Sequence, residues 1–574
     1  MFKSSVLALS ILGLMVIAVS SPSAQTSGFV PVTDQMLANP SPDDWLMFSR
    51  TYDAQRYSPL KQITKENVGQ LKLAFSTEMK TGTQESIPIV YRGVIYVATP
   101  GSAIQAIDGT NGKLIWEYKR PTGMTKTKGL AIYQDMIYYT APEGVIVALD
   151  ARDGSVRWEQ KIGEAQQTSG PIVVEGKVVS GRACARTRES CFIAANDART
   201  GESVWKFQDI PAPGEPGSET WGPGGPGENM MASTWALMGS YDPIRRVIYW
   251  GIANPMPNTR MDRHNGDPAG TAKTAPADLY SNSTVALDPS TGKLKWYYQH
   301  LPGDDWDQDY TNERILFRTA VSPDSQYVKW INPAIKKGEQ HDVSVNVGEG
   351  GGIWALDRNS GEFLWSNPFP YDNPNFLISD IDVKTGRVTI NYDLVMKKPG
   401  DHHVICFWNT KSYWPMSYNP ITNSLYVPFN DNCLDMTAKD GTKGERRGGS
   451  MGPRAMADPN FFGGIEKINM TTGQITNLFH TKAPSNGATL STAGGLVFWG
   501  DLDRHFYAFD AESGKMLWQT QLDAPIQNST ITYAVNGKQY IAVLGGLGGL
   551  SSGLLRQAGL QPVQKDGLYV FALP

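Results

Sequence analysis

Four aspartates stand within six consecutive positions of GDDWDQDYTNE, the stretch from Gly303 to Glu313. Carboxylates at this density (Asp304, Asp305, Asp307 and Asp309) suit a hard cation held through oxygen, with one carboxylate free to act as a base. They equally suit a solvated acidic loop whose side chains cap local turns. The seven histidines are scattered and form no HExxH pattern, so a metal here would take oxygen ligands. Glycine-rich runs occur at 222–227, 348–352 and 545–550. None is expected to open a helix, so they read as loops rather than as a dinucleotide or phosphate cradle.

The elements that would position such residues show in an internal repeat. A β-prone run followed by A-x-D-x-x-[TSDN]-G-x-x-x-W recurs six times, ending at Trp116, Trp158, Trp205, Trp296, Trp365 and Trp518. A seventh copy, KINMTTGQITN, lacks the Trp. The pattern is that of a hairpin in which an Asp such as Asp288 caps the turn and a Gly such as Gly292 takes a positive φ. A Trp at fixed offset can then fill the interface between neighbouring sheets that no single unit could bury alone. This predicts an all-β chain, an eight-bladed β-propeller with Trp-docking repeats, with a degenerate blade hidden between Trp365 and Ile465. The N-terminal segment should pair with the final strands, around ITYAVNGKQYIAVLGG and GLYVFALP, to close the ring and remove exposed edges.

Composition agrees with such a fold. The 58 glycines and 37 prolines among 574 residues show no collagen-like period and fit many tight turns between short strands. A net charge of −4 with both signs dispersed offers no footprint for nucleic acid and no polybasic membrane patch. Lys3, an apolar run from Val6 to Val19 and small residues through Ala24 read as a signal peptide over residues 1–24. The remaining 25–574 should form a single propeller without a membrane span, exported to the periplasm. In an oxidising compartment the four cysteines should pair locally as Cys184–Cys191 and Cys406–Cys433. No CxxCH motif exists for a covalent c-type haem, so electrons would leave through another protein.

The opening DDWLMFSRTYDAQRYSPLKQITKENVGQLKLAF, the Trp repeats, YWGIANP and GDDWDQD resemble, in matching order over nearly the whole mature chain, the PQQ-dependent (quinoprotein) alcohol dehydrogenase family. The likeness is to methanol and ethanol dehydrogenases, in a subgroup without the vicinal disulfide. It implies pyrroloquinoline quinone (PQQ) at the centre of the propeller, chelating calcium or a lanthanide. Asp307 resembles the catalytic Asp that takes the alcohol proton. Asn254 resembles a metal-binding Asn, and Asp309 an Asp carried by lanthanide-dependent relatives. Glu189 resembles a metal-binding Glu on a Cys-flanked loop, with the 184–191 bridge holding that loop. Trp235 resembles the aromatic floor under PQQ, and Glu85, Thr168 and Lys128 match cofactor contacts, with Lys128 replacing an Arg. Arg182, at the head of GRACARTRESC, joins the cofactor-binding set.

Departures stand beside the matches. Thr122–Gly123 replaces the vicinal Cys–Cys bridge, Glu349 lies near the place of an expected basic residue, and Asn486 stands where many relatives carry an aromatic. The resemblance thus implies oxidation of a primary or secondary alcohol bulkier than methanol, with electrons passed to a periplasmic acceptor such as cytochrome c. The competing readings are a non-enzymatic Trp-repeat scaffold and a carbohydrate-binding propeller.

Overall fold

Each Asp-to-Trp repeat forms the outer half of one antiparallel sheet, and the sheets follow one another in chain order. A computed structural model describes residues 28–101, 103–120, 127–164, 168–369, 376–406, 410–439, 448–452 and 460–574. The expected signal peptide and Thr122–Gly123 lie outside the described residues. Blades 1 to 7 span 89–119, 131–161, 171–208, 240–299, 315–367, 417–481 and 490–521. Blade 8 takes three strands from 531–572 and its fourth, Lys72–Met79, from the other end of the chain. That strand pairs antiparallel with Asp566–Ala572, which is the closure the sequence predicts.

Within a blade, burial follows strand position. In blade 2 the two middle strands, Met136–Ala141 and Val145–Asp150, are buried at every residue, whereas the outermost, Val156–Lys161, alternates towards solvent. A strand covered on both faces reads as an apolar run and an edge strand as an alternation, and the sequence shows both.

The turn and the Trp act together between blades. In blade 4 the Asp288 carboxylate accepts the N–H groups of Ser290 (2.9 Å) and Thr291 (3.1 Å), and Gly292 sits at φ +69°. The Trp205 indole of blade 3 donates to the Pro289 carbonyl in that turn (3.0 Å). A Cβ on Gly292 would lie 2.5 Å from the Trp205 ring. Gly154, Gly201 and Gly361 meet Trp116, Trp158 and Trp296 in the same way, so the repeat Gly serves both the turn and the docking surface. In blade 6 Asn477 replaces the Trp, and Gly514 of blade 7 faces Leu478 instead. The degenerate blade is therefore that of the seventh repeat. Its first two strands arise inside the span after Trp365, which also carries a small hairpin (Ile378–Ile381 with Val388–Ile390) and a three-stranded sheet.

The Cys184–Cys191 disulfide is formed. Cys433 is disulfide-bonded and faces Cys406 across paired strands, although the Cys406 side chain lies outside the described residues. Among the described residues no helix is long and apolar enough to cross a membrane.

The first strands of neighbouring blades touch, placing them innermost. The segments leading into them are stitched to one another by backbone hydrogen bonds: Ile87 N–H to Lys128 O, Lys128 N–H to Thr168 O, Leu237 N–H to Thr311 O, Thr489 N–H to Pro415 O and Asn528 N–H to Asn486 O. The Asn528 side chain donates to the Glu85 carbonyl (2.8 Å) and links blade 8 back to blade 1.

Candidate active site

All eight lead-in segments deliver a side chain of interest within three to six residues of the first strand that follows: Glu85, Lys128, Thr168, Trp235, Asp309, Tyr413, Asn486 and Asn528. Six of these eight are singled out by the sequence. Tyr413 and Asn528 are not, and their regular place ahead of a blade is the signal that could have found them.

Trp235 is only half-buried in a shell of fully buried neighbours, as a platform for a planar group requires. Its indole N–H donates to Asp309 Oδ2, and its carbonyl accepts the Thr168 hydroxyl (2.7 Å). Tyr413 meets it edge-on, with ring centroids 5.6 Å apart. The Lys128 ammonium lies 4.7 Å from the centroids of both rings and 3.1 Å from Glu85 Oε2. Glu85 Oε1 accepts from the Tyr413 hydroxyl (3.1 Å) and the Gly549 N–H (2.9 Å). One cation, one carboxylate and two aromatic faces thus form a single wall.

The acidic stretch divides by function. Asp305 is fully buried against Arg260 (3.2 Å), and Arg263 in turn holds Asp278 (3.0 Å), which is structural ion pairing. Asp304 accepts the Gln308 N–H (2.8 Å) and the Asn282 amide (2.9 Å), folding the loop on itself. Asp307, half-buried at φ +65°, and Asp309 turn towards Asn254. The Asn254 amide donates to Asp307 Oδ1 and its backbone N–H to Asp309 Oδ1, both at 2.9 Å. Beyond them, Glu349 Oε2 accepts the Asp309 N–H (3.2 Å).

Burial dominates the electrostatics here. It pushes Asp304 up to about 6 despite its backbone hydrogen bonds. Burial and then the neighbouring Asp307 push Asp309 up to about 7, and burial with Asp309 raises Glu349 well above the carboxylate range. Carboxylates gathered out of water in this way favour a bound cation, and Asn254 joins two of them, Asp307 through its side-chain amide and Asp309 through its backbone N–H. In the present network an amide N–H of Asn254 lies against Asp307, and the other end of that amide is the oxygen a metal would need.

Other expected residues are placed elsewhere. Glu189 lies on the one-turn helix Arg188–Ser190, 59% exposed and paired with Arg188, and is not brought to Asn254, Asp307 and Asp309. Among the described residues no group of three or more His, Cys, Asp or Glu side chains is positioned to hold a metal ion. The Cys184–Cys191 bridge closes the loop that carries Glu189. Arg182 adjoins Trp235 only through its backbone, bonded to Thr234. Its fully buried guanidinium stacks on Phe192 at 3.8 Å. The glycine run at 545–550 does lead into a helix, Ser551–Gln557, contrary to the sequence reading. Two of its N–H groups are taken by protein side chains, Gly548 by Gln527 (2.8 Å) and Gly549 by Glu85.

Fold and site together are a Trp-docked propeller with acidic and aromatic side chains gathered on the segments that lead into its innermost strands. Residues 45–341 and 460–541 match the family described as PQQ: Glucose/ethanol/alcohol dehydrogenase, beta-propeller domain. The quinoprotein alcohol dehydrogenase PedE of Pseudomonas putida is 30% identical over 98% of this chain and 94% of its own. The quinohemoprotein alcohol dehydrogenase ADH-IIG of Pseudomonas putida is 28% identical over 92% of this chain and 76% of its own. A solved europium-containing methanol dehydrogenase superposes with a TM-score of 0.80 at 26% identity, covering 94% of this chain and all of that one. The chain belongs to the PQQ-dependent alcohol dehydrogenase family and is an oxidoreductase of that kind.

Proposed function

We propose that the chain, freed of a signal peptide at 1–24, works in the periplasm as a single propeller over 25–574. There it oxidises a primary or secondary alcohol bulkier than methanol. The observation that carries this reading is the convergence of Asp307, Asn254, Asp309 and Trp235 in one hydrogen-bonded network. A bound PQQ would supply the two-electron acceptor, and a bound calcium or lanthanide ion the Lewis acid. Trp235 offers the stacking face, the Thr168 hydroxyl holds its backbone carbonyl, and the Lys128 ammonium, already paired with Glu85, can neutralise a cofactor carboxylate.

Asp307 is the base. It is the least buried of the four aspartates and is oriented by the Asn254 amide, so it can take the substrate hydroxyl proton as hydride leaves the carbinol carbon. Asn254, Asp307 and Asp309 are the proposed metal ligands, and Glu189 stands outside the set because its carboxylate is exposed on Arg188. The second acid, Asp309, and the likeness to a europium-containing enzyme support a trivalent ion beside calcium as a candidate. Electrons would pass to a separate acceptor such as a cytochrome c. The test is reconstitution with PQQ and calcium or lanthanum, followed by dye reduction across a panel of alcohols. Alcohol-dependent reduction with longer alcohols preferred over methanol is expected, and failure with every alcohol and both metals would overturn the reading in favour of a scaffold or carbohydrate-binding propeller.

A further inference from the structure

The chain from Asp43 to Ser58 is shared by most of the ring. The Asp43 carbonyl accepts the Ala534 N–H of blade 8 (3.1 Å), and Trp45 exchanges two backbone bonds with Val90 of blade 1 (2.9 and 2.7 Å). The carbonyls of Tyr52, Asp53, Gln55 and Arg56 then accept N–H groups from the first strands of blades 4, 5, 6 and 7, at 2.8 to 3.1 Å. The contacts follow the order of the blades, and each uses the strand edge that the blade's own sheet leaves unpaired. Each of these six strands carries a residue of the candidate site, Asn528, Glu85, Trp235, Asp309, Tyr413 or Asn486, five to seven positions ahead of its contact.

Arg56 draws three parts of the chain together. Its side chain is fully buried, and the guanidinium donates from Nε to the Thr489 carbonyl (2.9 Å), from Nη1 to the Phe48 carbonyl (2.7 Å) and from Nη2 to the Thr530 carbonyl (2.6 Å). Thr489 lies three residues after Asn486, and Thr530 two after Asn528, whose amide holds the Glu85 carbonyl. One side chain thus spans the lead-ins of blades 7 and 8 and reaches that of blade 1 through Asn528. The Glu313 carboxylate acts electrostatically on the buried charge, and is itself bonded to the Lys411 ammonium (2.6 Å) and the Met416 N–H (2.7 Å), on either side of Tyr413 in the chain. A buried charge adds little stability over apolar packing of the same volume. What a planar fork of donors adds is a fixed geometry among the segments it joins.

We propose that Arg56 is a positioning residue for the cofactor, holding the lead-ins of blades 7, 8 and 1 at the spacing in which Glu85, and the Lys128 ammonium paired with it, can receive PQQ. It acts through Thr489, Thr530 and Asn528. The inference rests on the PQQ reading.

The experiment titrates the apo-protein, in calcium, with PQQ and follows quenching of tryptophan fluorescence, so no turnover is needed. Arg56→Lys keeps the charge and loses the fork, Arg56→Met loses both, and Trp205→Ala weakens the frame from an outermost strand. Both Arg56 variants should bind PQQ about tenfold or more weakly than the parent, with lysine the milder, whereas Trp205→Ala should bind as the parent does despite a lower melting temperature. If Arg56→Met does not fold, Arg56→Lys decides alone. Parent-like binding by folded Arg56 variants would overturn the inference. So would a weakening in Trp205→Ala that scales with its lost stability, since stability alone would then account for both. No quenching in the parent would overturn the PQQ reading, and this inference with it.

Discussion

The aspartates of the outer turns and those beside Asn254 and Trp235 are one side chain in two opposite electrostatic states. In the turn of blade 2, burial acts to raise Asp150, but hydrogen bonds from Arg152, its backbone N–H and Arg157 outweigh burial and hold the carboxyl at about 2. Asp288 is likewise held below the usual range, with the cost of burial overcome by the backbone and hydroxyl donors of its turn. At the centre, Asp304 and Asp309 also accept backbone N–H groups, yet burial prevails and pushes them to about 6 and 7. Arginine partners, more than solvent exposure or backbone hydrogen bonds, separate Asp150 from Asp304 and Asp309: all three are buried, and Asp150 meets both Arg152 and Arg157. The rim builds a stable frame from satisfied carboxylates, while the centre concentrates carboxylates that lack a cation.

The sharpest break in this comparison is Asp307→Asn. It should lower alcohol-dependent dye reduction by about a thousandfold while leaving the circular dichroism spectrum and melting temperature near those of the parent, because a base is lost with little change in volume. Trp205→Ala tests the frame instead. It should cost about 3–5 kcal/mol in denaturant unfolding, through loss of a ring buried against the Gly292 turn. Asp309→Asn asks whether the central charge serves a cation. Terbium luminescence titration should show about a hundredfold weaker trivalent-ion binding and a smaller loss for calcium in competition, since charge matters more to the trivalent ion. Equal losses for both would detach Asp309 from metal choice.

Smaller effects are expected at the rim. Gly292→Ala should destabilise by about 1–3 kcal/mol, because the added Cβ meets the Trp205 ring and the left-handed φ disfavours it. Asp150→Asn should cost about 1 kcal/mol at pH 7 after solvent screening. The folded-state pKa of Asp150 is depressed, so its contribution is present above the unfolded value near 4 and is lost as pH falls towards 2. Unfolding curves between pH 7 and pH 3 should therefore converge for parent and variant, and a difference that stays constant would assign the effect to packing.

Much of the frame is local and was legible. Asp, Gly and Trp sit at fixed offsets because a turn cap, a positive φ and a docking ring are set within eleven residues of chain. Burial of both middle strands writes itself as apolar runs, and GLYVFALP needed a partner that only an unpaired N-terminal strand could supply. The site was partly legible because GDDWDQD and IANP are compact motifs. Tyr413 was missed because NTKSYWPMS carries no motif, and its role depends on Glu85, 328 positions away in the chain. The helix after GGLGGL was missed because glycine disfavours helix, while the flanking SSGLLRQ is too short to show a clear period.

By itself the sequence determined a repeated hairpin, its Trp-docked ring and the family to which the ring belongs, because each of these is written in short-range spacing or in motif order. Only the tertiary structure decided which of the crowded acids face the centre. It sent Asp305 to Arg260, folded Asp304 onto its own loop, turned Asp307 and Asp309 to Asn254, and left Glu189 exposed on Arg188. Closing a ring brings together residues from opposite ends of the chain, and whether a carboxylate meets an arginine, an amide or water is settled by that apposition, which no local pattern contains.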